Sequence, residues 1–147
     1  MIRTMTIEDY EEVSALWHRI RGFSIRSIDD SREGVARFLL RNPSTSVVAV
    51  EDGRVVGAIL CGHDGRRGCM YHVCVDPDYR MRGIGKAMVV QAMTALKQEG
   101  ISKVSLIAFT RNDVGNAFWC CIGWTKREDL NYYDFTLNEK NIERFNE

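Results

Sequence analysis

Apolar side chains recur at helical spacing in two stretches near the start of the chain. The first helix is expected to begin at Thr6, which forms a weak capping box with Asp9. Its apolar face consists of Ile7, Val13, Leu16, Trp17 and Ile20. A second helix follows the polar segment RGFSIRSIDDS and should end at Asn42–Pro43, because proline disfavours helical backbone in the residue before it. A short strand at Met1–Met5 is expected to precede both.

The segment SVVAVEDGRVVGAILCG predicts a β-hairpin. Two runs rich in β-branched residues flank Asp52–Gly53, a dipeptide that readily adopts the positive φ angles of a tight turn. Val55–Leu60 is apolar on both faces, which is typical of a central strand covered on both sides. The turn GHDGRRG then leads to another strand at Met70–Val75. Three consecutive antiparallel strands are therefore expected.

A strand–helix–strand unit comes next along the chain. In YRMRGIGKAMVVQAMTALKQEG one apolar face recurs at helical spacing, and Gly100 fits the position just past a helix end. The segment KVSLIAF predicts a further strand, parallel to Met70–Val75 through a right-handed crossover. A short helix in NDVGNAFWCCIGW and two closing strands, at Trp124–Arg127 and Tyr132–Leu137, complete the expected order.

Composition restricts the class of protein. Residues 1–147 are expected to form one domain, since no repeat, low-complexity tract or linker interrupts them. Twenty basic residues balance twenty acidic ones, so charge favours neither nucleic acid nor an anionic membrane as a partner. No apolar run approaches the ~18 residues that span a bilayer, and no signal-peptide pattern is present, so a cytoplasmic location is expected. Five cysteines without a C-x-x-C pair are expected to be free thiols, with no metal site.

The turn RMRGIGKA has the features of an anion site. Gly83 and Gly85 allow close approach of the backbone to a ligand, and the first turn of the following helix leaves its amide N–H groups unpaired. Arg80, Arg82 and Lys86 add positive charge. Two other phosphate motifs fail. A Walker A loop needs a glycine where Arg80 stands, and a Rossmann fingerprint needs a third glycine at position 88, which is methionine. An unoccupied turn with solvated basic residues is the alternative.

The segment VDPDYRMRGIG resembles the coenzyme A loop of the GNAT acetyltransferases without a gap. Downstream, Asn112, Trp119, Gly123 and Trp124 stand at the spacings of that family. The resemblance covers essentially the whole chain, and GHDGRRGCMYHVCVDPDYR is especially similar to a bacterial subgroup typified by YpeA. It implies a mixed α/β GNAT fold: one six- to seven-stranded mixed sheet, about four helices, and a parallel pair, the fourth and fifth strands, that splay apart.

The resemblance also implies acetyl-CoA as cosubstrate. The pantetheine arm would insert between the splayed strands, the turn would wrap the pyrophosphate, and Asn112 would bond to the pantetheine from the opposite side. The residues expected at the cofactor are Val73, Cys74, Val75, Arg80, Arg82, Gly83, Ile84, Gly85, Lys86, Asn112 and Trp119.

Candidate catalytic residues lie on the strand before the turn. Tyr71 and His72 are expected on opposite faces of CMYHVCV, so that one of them reaches the acceptor cleft as general base; the alternative is a packed or bonded strand residue. His63 and Asp64 could also line the site, or form only a hairpin tip. The cysteines are expected to pack in apolar strands rather than act as nucleophiles.

Trp119 stands where many GNAT enzymes have a tyrosine that protonates the departing thiolate. An indole N–H donates a hydrogen bond but has no accessible acidity, so Trp119 is not expected to be an acid. Helical spacing puts Trp119 on one face with Asn112 and Asn116, toward the cofactor. A separate core stripe is expected from Val114, Phe118, Cys121 and Ile122. The alternative for Trp119 is a second core aromatic beside Phe118.

The sequence thus predicts an acetyl-CoA-dependent N-acetyltransferase in which a primary amine attacks the thioester directly within a ternary complex. The acceptor, a small molecule or a peptide, is expected in a cleft lined by RGFSIRSIDD, the strand of Tyr71 and His72, and Asn131–Tyr133. A non-catalytic acyl-CoA-binding or regulatory module is the alternative. No nucleic-acid or membrane partner is expected, and a homodimer is a possible assembly.

Overall fold

Five strands form the main sheet in the computed structural model, which describes all residues, 1–147. They are β1 (Ile2–Thr4), β3 (Val47–Glu51), β4 (Arg54–His63), β5 (Gly68–Val75) and β6 (Val104–Ser105), in the order β1-β3-β4-β5-β6. A separate antiparallel ribbon consists of β2 (Ser24–Arg26) and β7 (Glu143–Phe145). Four helices accompany them: α1 (Tyr10–Arg19), α2 (Arg32–Arg41), α3 (Ile84–Gln98) and α4 (Asp113–Cys121).

Two hydrophobic cores lie on opposite faces of the sheet. On one face α1 and α2 bury Leu16, Trp17 and Val35 against alternate residues of the central strands. On the other face α3 buries the predicted set Met88, Val89, Ala92 and Leu96. Strand β4 contributes to both cores, as its two-sided apolar pattern predicts: Ala58 and Leu60 face one core, Ile59 and Cys61 the other.

Local signals in the sequence account for several element boundaries. Asp52 and Gly53 have φ angles of 51° and 75°, so the predicted tight hairpin turn is confirmed. Helix α2 ends at Arg41, before Asn42–Pro43, and the Ser31 hydroxyl accepts the Gly34 N–H at its start. The first helix begins with a short 3-10 turn, Ile7–Asp9, where the Asp9 carboxylate accepts the Thr6 N–H at 2.9 Å.

The predicted mixed α/β architecture and its parallel strand pair are confirmed, and the strand count is corrected. One sheet of six to seven strands was expected, whereas the main sheet has five and a separate ribbon has two. The predicted closing strands, Trp124–Arg127 and Tyr132–Leu137, have no regular structure. The chain end is held elsewhere: Asn146 donates to the carbonyls of Trp17 and Ile20, and Asn141 accepts from the Ile28 N–H. A strand requires a partner edge as well as β-propensity, and these polar contacts tie the end of the chain to the loop around β2.

The parallel strands β5 and β6 pair only at their beginnings. Gly68 lies opposite Val104 and Cys69 opposite Ser105, and the Gly68 N–H bonds to the Lys103 carbonyl at 2.9 Å. From Met70 onward β5 has no strand neighbour on that side. The resulting open edge, from residue 70 to residue 75, is called the β5 open edge below. It is the predicted split, although the segment KVSLIAF keeps only two residues as a strand.

Candidate active site

A β-bulge shapes the middle of the β5 open edge. Cys74 lies opposite Ala58 while Tyr71 lies opposite Leu60, so β5 has one residue more than β4 between these pairs. The extra residue is accommodated at His72, whose φ angle is 52°. Normal alternation resumes after it: Val73 packs toward α3 and Cys74 toward α1 and α2.

The bulge places Tyr71 and His72 on the same face of the sheet. The Tyr71 ring meets Phe38 of α2 edge-on at 6.0 Å, and the His72 ring lies 4.8 Å from that of Trp17 of α1. The prediction that these two residues point to opposite faces is therefore wrong. The physical reason is the left-handed backbone at His72, which breaks the two-residue period of the strand. Both side chains lie on the face covered by α1 and α2.

His72 is held by a buried carboxylate. Its Nε2 atom lies 2.8 Å from Oδ1 of Asp30, and the other Asp30 oxygen accepts the Arg26 N–H at 2.7 Å. Asp30 is only 7% exposed. The His72 ring packs between those of Trp17 and Phe23, each with its centroid 4.8 Å away. Sequence reasoning named Asp30 only as part of the cleft lining, because nothing local connects residues so far apart along the chain.

The pKa of Tyr71 is affected by residues of the other two predicted cleft segments. Burial raises the pKa of its phenol, and the neighbouring Cys69, Tyr132 and Asp29 raise it further. Asp29 belongs to RGFSIRSIDD and Tyr132 to the segment Asn131–Tyr133, the other two segments predicted to line the cleft. A phenol whose pKa is raised stays protonated near neutral pH, which makes Tyr71 the poorer of the two candidate bases.

The loop after β5 leaves a helix N-terminus open. Gly83 caps α3 with a φ angle of 78° and no side chain bonds to the first turn. The first amide of the helix to find a partner is that of Ala87, which donates to the Gly83 carbonyl at 3.1 Å. The N–H groups of Ile84, Gly85 and Lys86 therefore stay available, and the helix dipole favours an anion there.

The three predicted cations belong to this loop and to the first turn of α3. Arg80, Arg82 and Lys86 are exposed and none forms an ion pair. Arg80 Nε donates to the Val75 carbonyl at 3.1 Å, which already occupies one backbone acceptor of the β5 open edge. Arg82 lies over the Tyr79 ring, 4.9 Å from its centroid.

Asp76 anchors the loop where β5 ends. Its carboxylate accepts the Asp78 N–H at 3.0 Å and pairs with Arg19 at 2.9 Å. Burial opposes its ionisation, but these hydrogen bonds and the charges of Arg19 and Arg54 hold its pKa below the usual value. The buried ionised group fixes the direction in which the chain leaves the sheet.

Helix α4 closes over the loop with aromatic side chains. The Phe118 ring packs on Gly85, where a side chain would come within 3.2 Å of it. Trp119 packs between Phe118 and Trp124, at centroid distances of 5.0 and 4.7 Å. Asn112 caps α4 by accepting the Gly115 N–H at 3.0 Å, which leaves its amide N–H groups for another partner.

The structure corrects the predicted faces of α4. Phe118 and Ile122 pack against the α3-side core as expected, but Val114 is 72% exposed and Cys121 is also exposed. Trp119 joins the packed aromatic cluster, as in the alternative of a second core aromatic beside Phe118. The predicted stripe was wrong at Val114 and Cys121, because α4 is a short surface helix whose residues are at most half-buried.

An open groove lies beside the predicted site rather than in it. About 580 Å³ in volume, it runs along α3 and is lined by Ile2, Gly83, Lys86, Ala87, Val90, Gln91 and Thr94. It shares Gly83 and Lys86 with the anion loop but no residue with the β5 open edge. No helix of the chain is long and apolar enough to span a membrane, and no group of three or more His, Cys, Asp or Glu side chains is arranged to hold a metal.

The cysteines do not form a reactive centre. None is in a disulfide. Burial raises the pKa of the Cys61 and Cys74 thiols to about 12, so neither is a thiolate near neutral pH. Both pack in the hydrophobic cores, as expected.

Comparison with known proteins shows which family the chain resembles. The family model described as the Acetyltransferase (GNAT) family matches residues 8–123. An acetyltransferase of Sodalis glossinidius is 38% identical over 112 residues, which is 76% of this chain and 78% of that protein. An acetyltransferase of Pectobacterium atrosepticum is 34% identical over 112 residues, with the same two coverages of 76% and 78%.

Solved structures share the fold. The PaiA N-acetyltransferase of Thermoplasma acidophilum, in complex with coenzyme A, has a TM-score of 0.75 and 22% identity, covering 89% of this chain and 92% of that chain. The aminoglycoside N-acetyltransferase AAC(6')-Iy, in complex with a bisubstrate analogue, has a TM-score of 0.70 and 17% identity, covering 92% of this chain and 97% of that chain.

The chain belongs to the GNAT acetyltransferase family. The predicted family is thereby confirmed, and with it, at the level of the family, the acyltransferase class and acetyl-CoA as cosubstrate. The resemblance to the YpeA-like subgroup and the roles of individual site residues stay predictions.

Proposed function

We propose that this protein transfers the acetyl group of acetyl-CoA to a primary amine by direct attack within a ternary complex. The observation that carries the proposal is the β5 open edge, which a short loop connects to an α3 N-terminus whose first turn no side chain caps. An unpaired strand edge offers backbone hydrogen bonds to an extended amide-containing chain. The helix N-terminus beyond it offers a place for a pyrophosphate. Pantetheine and pyrophosphate follow one another in coenzyme A in the same order.

Different groups of residues are proposed to bind different parts of coenzyme A. Backbone groups of Val73, Cys74 and Val75 bind the pantetheine arm, with the Val75 carbonyl released from Arg80 when the arm enters. The amides of Ile84, Gly85 and Lys86 bind the pyrophosphate, and the exposed side chains of Arg80, Arg82 and Lys86 offset its charge. Asn112 uses its free amide N–H groups on the pantetheine, and Trp119 closes that side with its ring.

The reaction needs a neutral amine and a stabilised oxyanion. The amine nitrogen attacks the thioester carbonyl carbon, the C–S bond breaks, and the sulfur leaves with the electron pair and takes up a proton. A backbone N–H at the β5 bulge holds the negative charge that develops on the carbonyl oxygen. His72 removes the proton from the amine, because Tyr71 stays protonated near neutral pH.

The acceptor lies on the α1 and α2 side of β5. Asp29 and Tyr132, from the other two predicted cleft segments, contribute to the raised pKa of Tyr71. Neither charge sign dominates this lining, so a small-molecule amine and a peptide amine both fit. The structural relatives include an aminoglycoside acetyltransferase and a ribosomal-protein-alanine acetyltransferase, which act on these two kinds of acceptor. Five unpaired cysteines support a cytoplasmic location.

A non-catalytic acyl-CoA-binding module is the second candidate. Trp119 favours it, because an indole cannot protonate the departing thiolate. Coenzyme A thiolate is nevertheless a good leaving group that water can protonate, so the absence of a tyrosine does not stop the reaction.

One assay separates the two candidates. Thiol release from acetyl-CoA is measured across a panel of polyamines, aminoglycosides, amino acids and peptide N-termini, and coenzyme A binding is measured by calorimetry. We expect amine-dependent thiol release, with the acetylated amine identified by mass spectrometry. Tight coenzyme A binding without turnover of any amine would assign the protein to the non-catalytic class.

A further inference from the structure

The His72–Asp30 pair is the most constrained polar contact on the acceptor side of β5. His72 has a left-handed backbone (φ 52°), which is uncommon for a non-glycine residue. Its surroundings are the rings of Trp17 and Phe23 and the 2.8 Å contact from Nε2 to the Asp30 carboxylate. The imidazole is therefore fixed in both position and rotation.

The two nitrogens of this ring have different environments. Nε2 faces Asp30, whereas Nδ1 forms no hydrogen bond within the protein. The side chain of His72 keeps 19% of its surface exposed. An ionised carboxylate accepts hydrogen bonds and donates none, so it draws the proton of the neutral imidazole to Nε2. The lone pair that can accept a proton from a substrate is then on Nδ1.

We propose that Asp30 is a positioning residue: it holds the proton of His72 on Nε2 and so keeps the Nδ1 lone pair ready to accept the proton of the incoming amine. This inference rests on the proposed function, because it assigns the proton acceptor of that reaction. Asp30 does not touch the substrate and acts only through His72.

The surroundings of Asp30 explain why a carboxylate is needed there. Its Oδ1 faces His72 while its Oδ2 accepts the Arg26 N–H, so both oxygens are engaged by donors. Ser31 caps α2 directly after Asp30, and Gly34 fits against the carbonyls of Ile28 and Asp29. The Gly34 position has no room for a side chain, since a Cβ would come within 2.4 Å of both carbonyl oxygens. The loop is thereby locked with its carboxylate toward β5.

The substitution Asp30→Asn tests the tautomer directly. An asparagine side chain has only one oxygen, whereas the Asp30 carboxylate has one for His72 Nε2 and one for the Arg26 N–H. With that oxygen on the Arg26 N–H, its NH2 group faces His72 and forces the lone pair onto Nε2 and the proton onto Nδ1. Long-range ¹H–¹⁵N NMR of the imidazole distinguishes these tautomers without any enzymatic activity. We expect the Nε2–H form in the wild type and the Nδ1–H form in Asp30→Asn.

Activity supplies the second readout. With an amine found by the panel, we expect kcat to fall about 10²–10⁴-fold in His72→Gln and at least about tenfold in Asp30→Asn.

Asp9→Asn is the matched control. Asp9 is also 7% exposed and also bonded, to Arg3 and the Thr6 N–H, but it lies outside the site. Asp9→Asn should lower the melting temperature and leave the His72 tautomer and kcat unchanged.

Each outcome decides the proposal. An Nδ1–H imidazole in the wild type, or an unchanged tautomer in Asp30→Asn, would overturn it. An unchanged kcat in Asp30→Asn would reduce Asp30 to a structural residue. If no amine is turned over, the proposed function fails while the NMR result still decides the tautomer, and if Asp30→Asn does not fold, the wild-type tautomer decides alone.

Discussion

Trp119 is held by aromatic packing at a position where the family often has a tyrosine. Its ring lies 5.0 Å from that of Phe118 and 4.7 Å from that of Trp124, and all three pack against the α3-side core. These contacts account for the presence of a large ring there without any acid role. The departing thiolate must then be protonated by another group or by water.

Replacing Trp119 by Phe should therefore affect stability more than turnover. The smaller ring leaves unfilled space between Phe118 and Trp124, which should cost about 1–2 kcal/mol of unfolding free energy. The loss in kcat should stay well below the ~100-fold that removal of a general acid causes. Thermal unfolding and initial rates measure the two effects. A 100-fold loss that Trp119→Tyr restores would show that position 119 does take part in proton transfer.

Cys74 provides a residue-level test of direct transfer. Burial raises the pKa of its thiol to about 12, although the residue lies in the strand expected to contact the thioester. We expect Cys74→Ala to keep kcat and to lose about 1 kcal/mol of stability. Intact mass spectrometry after mixing with acetyl-CoA should show no acylated enzyme. An acylated wild-type enzyme, together with no acylation of Cys74→Ala, would contradict direct attack of the amine within a ternary complex.

Individual residue roles could be predicted from the sequence only where a motif fixes them. The residues from Arg80 to Lys86 stand around a helix N-terminus as the pattern VDPDYRMRGIG predicts, because the loop and helix are contiguous in sequence. The contact between His72 and Asp30 could not be predicted. It depends on the bulge in β5 and on the path of a loop 42 residues away, neither of which has a local signal.

At the scale of elements, the turn before α3 is the place to test cofactor binding by mutation. Gly83 has a φ angle of 78° and open space around it. Gly83→Val adds a branched side chain beside the free amides, so the KM for acetyl-CoA should rise roughly tenfold or more, the equivalent of losing one charge-assisted hydrogen bond. Steady-state kinetics with varied acetyl-CoA measures this.

Gly53→Val is the matched control for that change. Gly53 has a similar φ angle of 75° and also has open space around it, but it lies in the β3–β4 hairpin. Both variants should lose stability from the same backbone strain. Only Gly83→Val should raise the KM, and equal KM values in the two variants would count against the loop as the cofactor site.

Elements with strong local patterns were predictable, and those that depend on distant partners were not. The β3–β4 hairpin has its turn dipeptide, and α3 has its apolar face and C-terminal glycine. The ribbon of β2 and β7 pairs residues from opposite ends of the chain, and neither strand has a distinctive pattern. The opposite error occurred at Tyr132–Leu137, which has strong β-propensity but no neighbouring edge.

The whole molecule leaves an apolar surface without a partner. Five large apolar side chains between residues 130 and 137 are 61% to 94% exposed: Leu130, Tyr132, Tyr133, Phe135 and Leu137. Beyond β5, strand β6 also ends the sheet with a free edge. A second copy of the chain could cover such a surface, which supports the homodimer named as a possible assembly.

Light scattering after size exclusion tests this assembly. We expect a molar mass of about twice 16.8 kDa at micromolar concentration. Replacing Tyr133 and Phe135 by serine should shift the protein toward the monomer without unfolding it, because both side chains are already exposed. A wild-type monomer at all concentrations would contradict the homodimer.

At the level of the molecule, the sequence predicted the architecture better than the edges of the sheet. The two-sided core follows from apolar patterns that each element carries by itself, and the β5–β6 split follows from the strand–helix–strand unit. How many strands continue the sheet beyond β6 depends on where the C-terminal segment docks. That choice is made by side-chain contacts such as those of Asn141 and Asn146.

A structure with coenzyme A bound tests the central claim most directly. The account predicts the pantetheine along the β5 open edge, hydrogen-bonded to backbone groups of residues 73–75, with the pyrophosphate on the amides of Ile84, Gly85 and Lys86. Coenzyme A in the groove of Ile2, Val90 and Thr94, with the β5 open edge unoccupied, would contradict it.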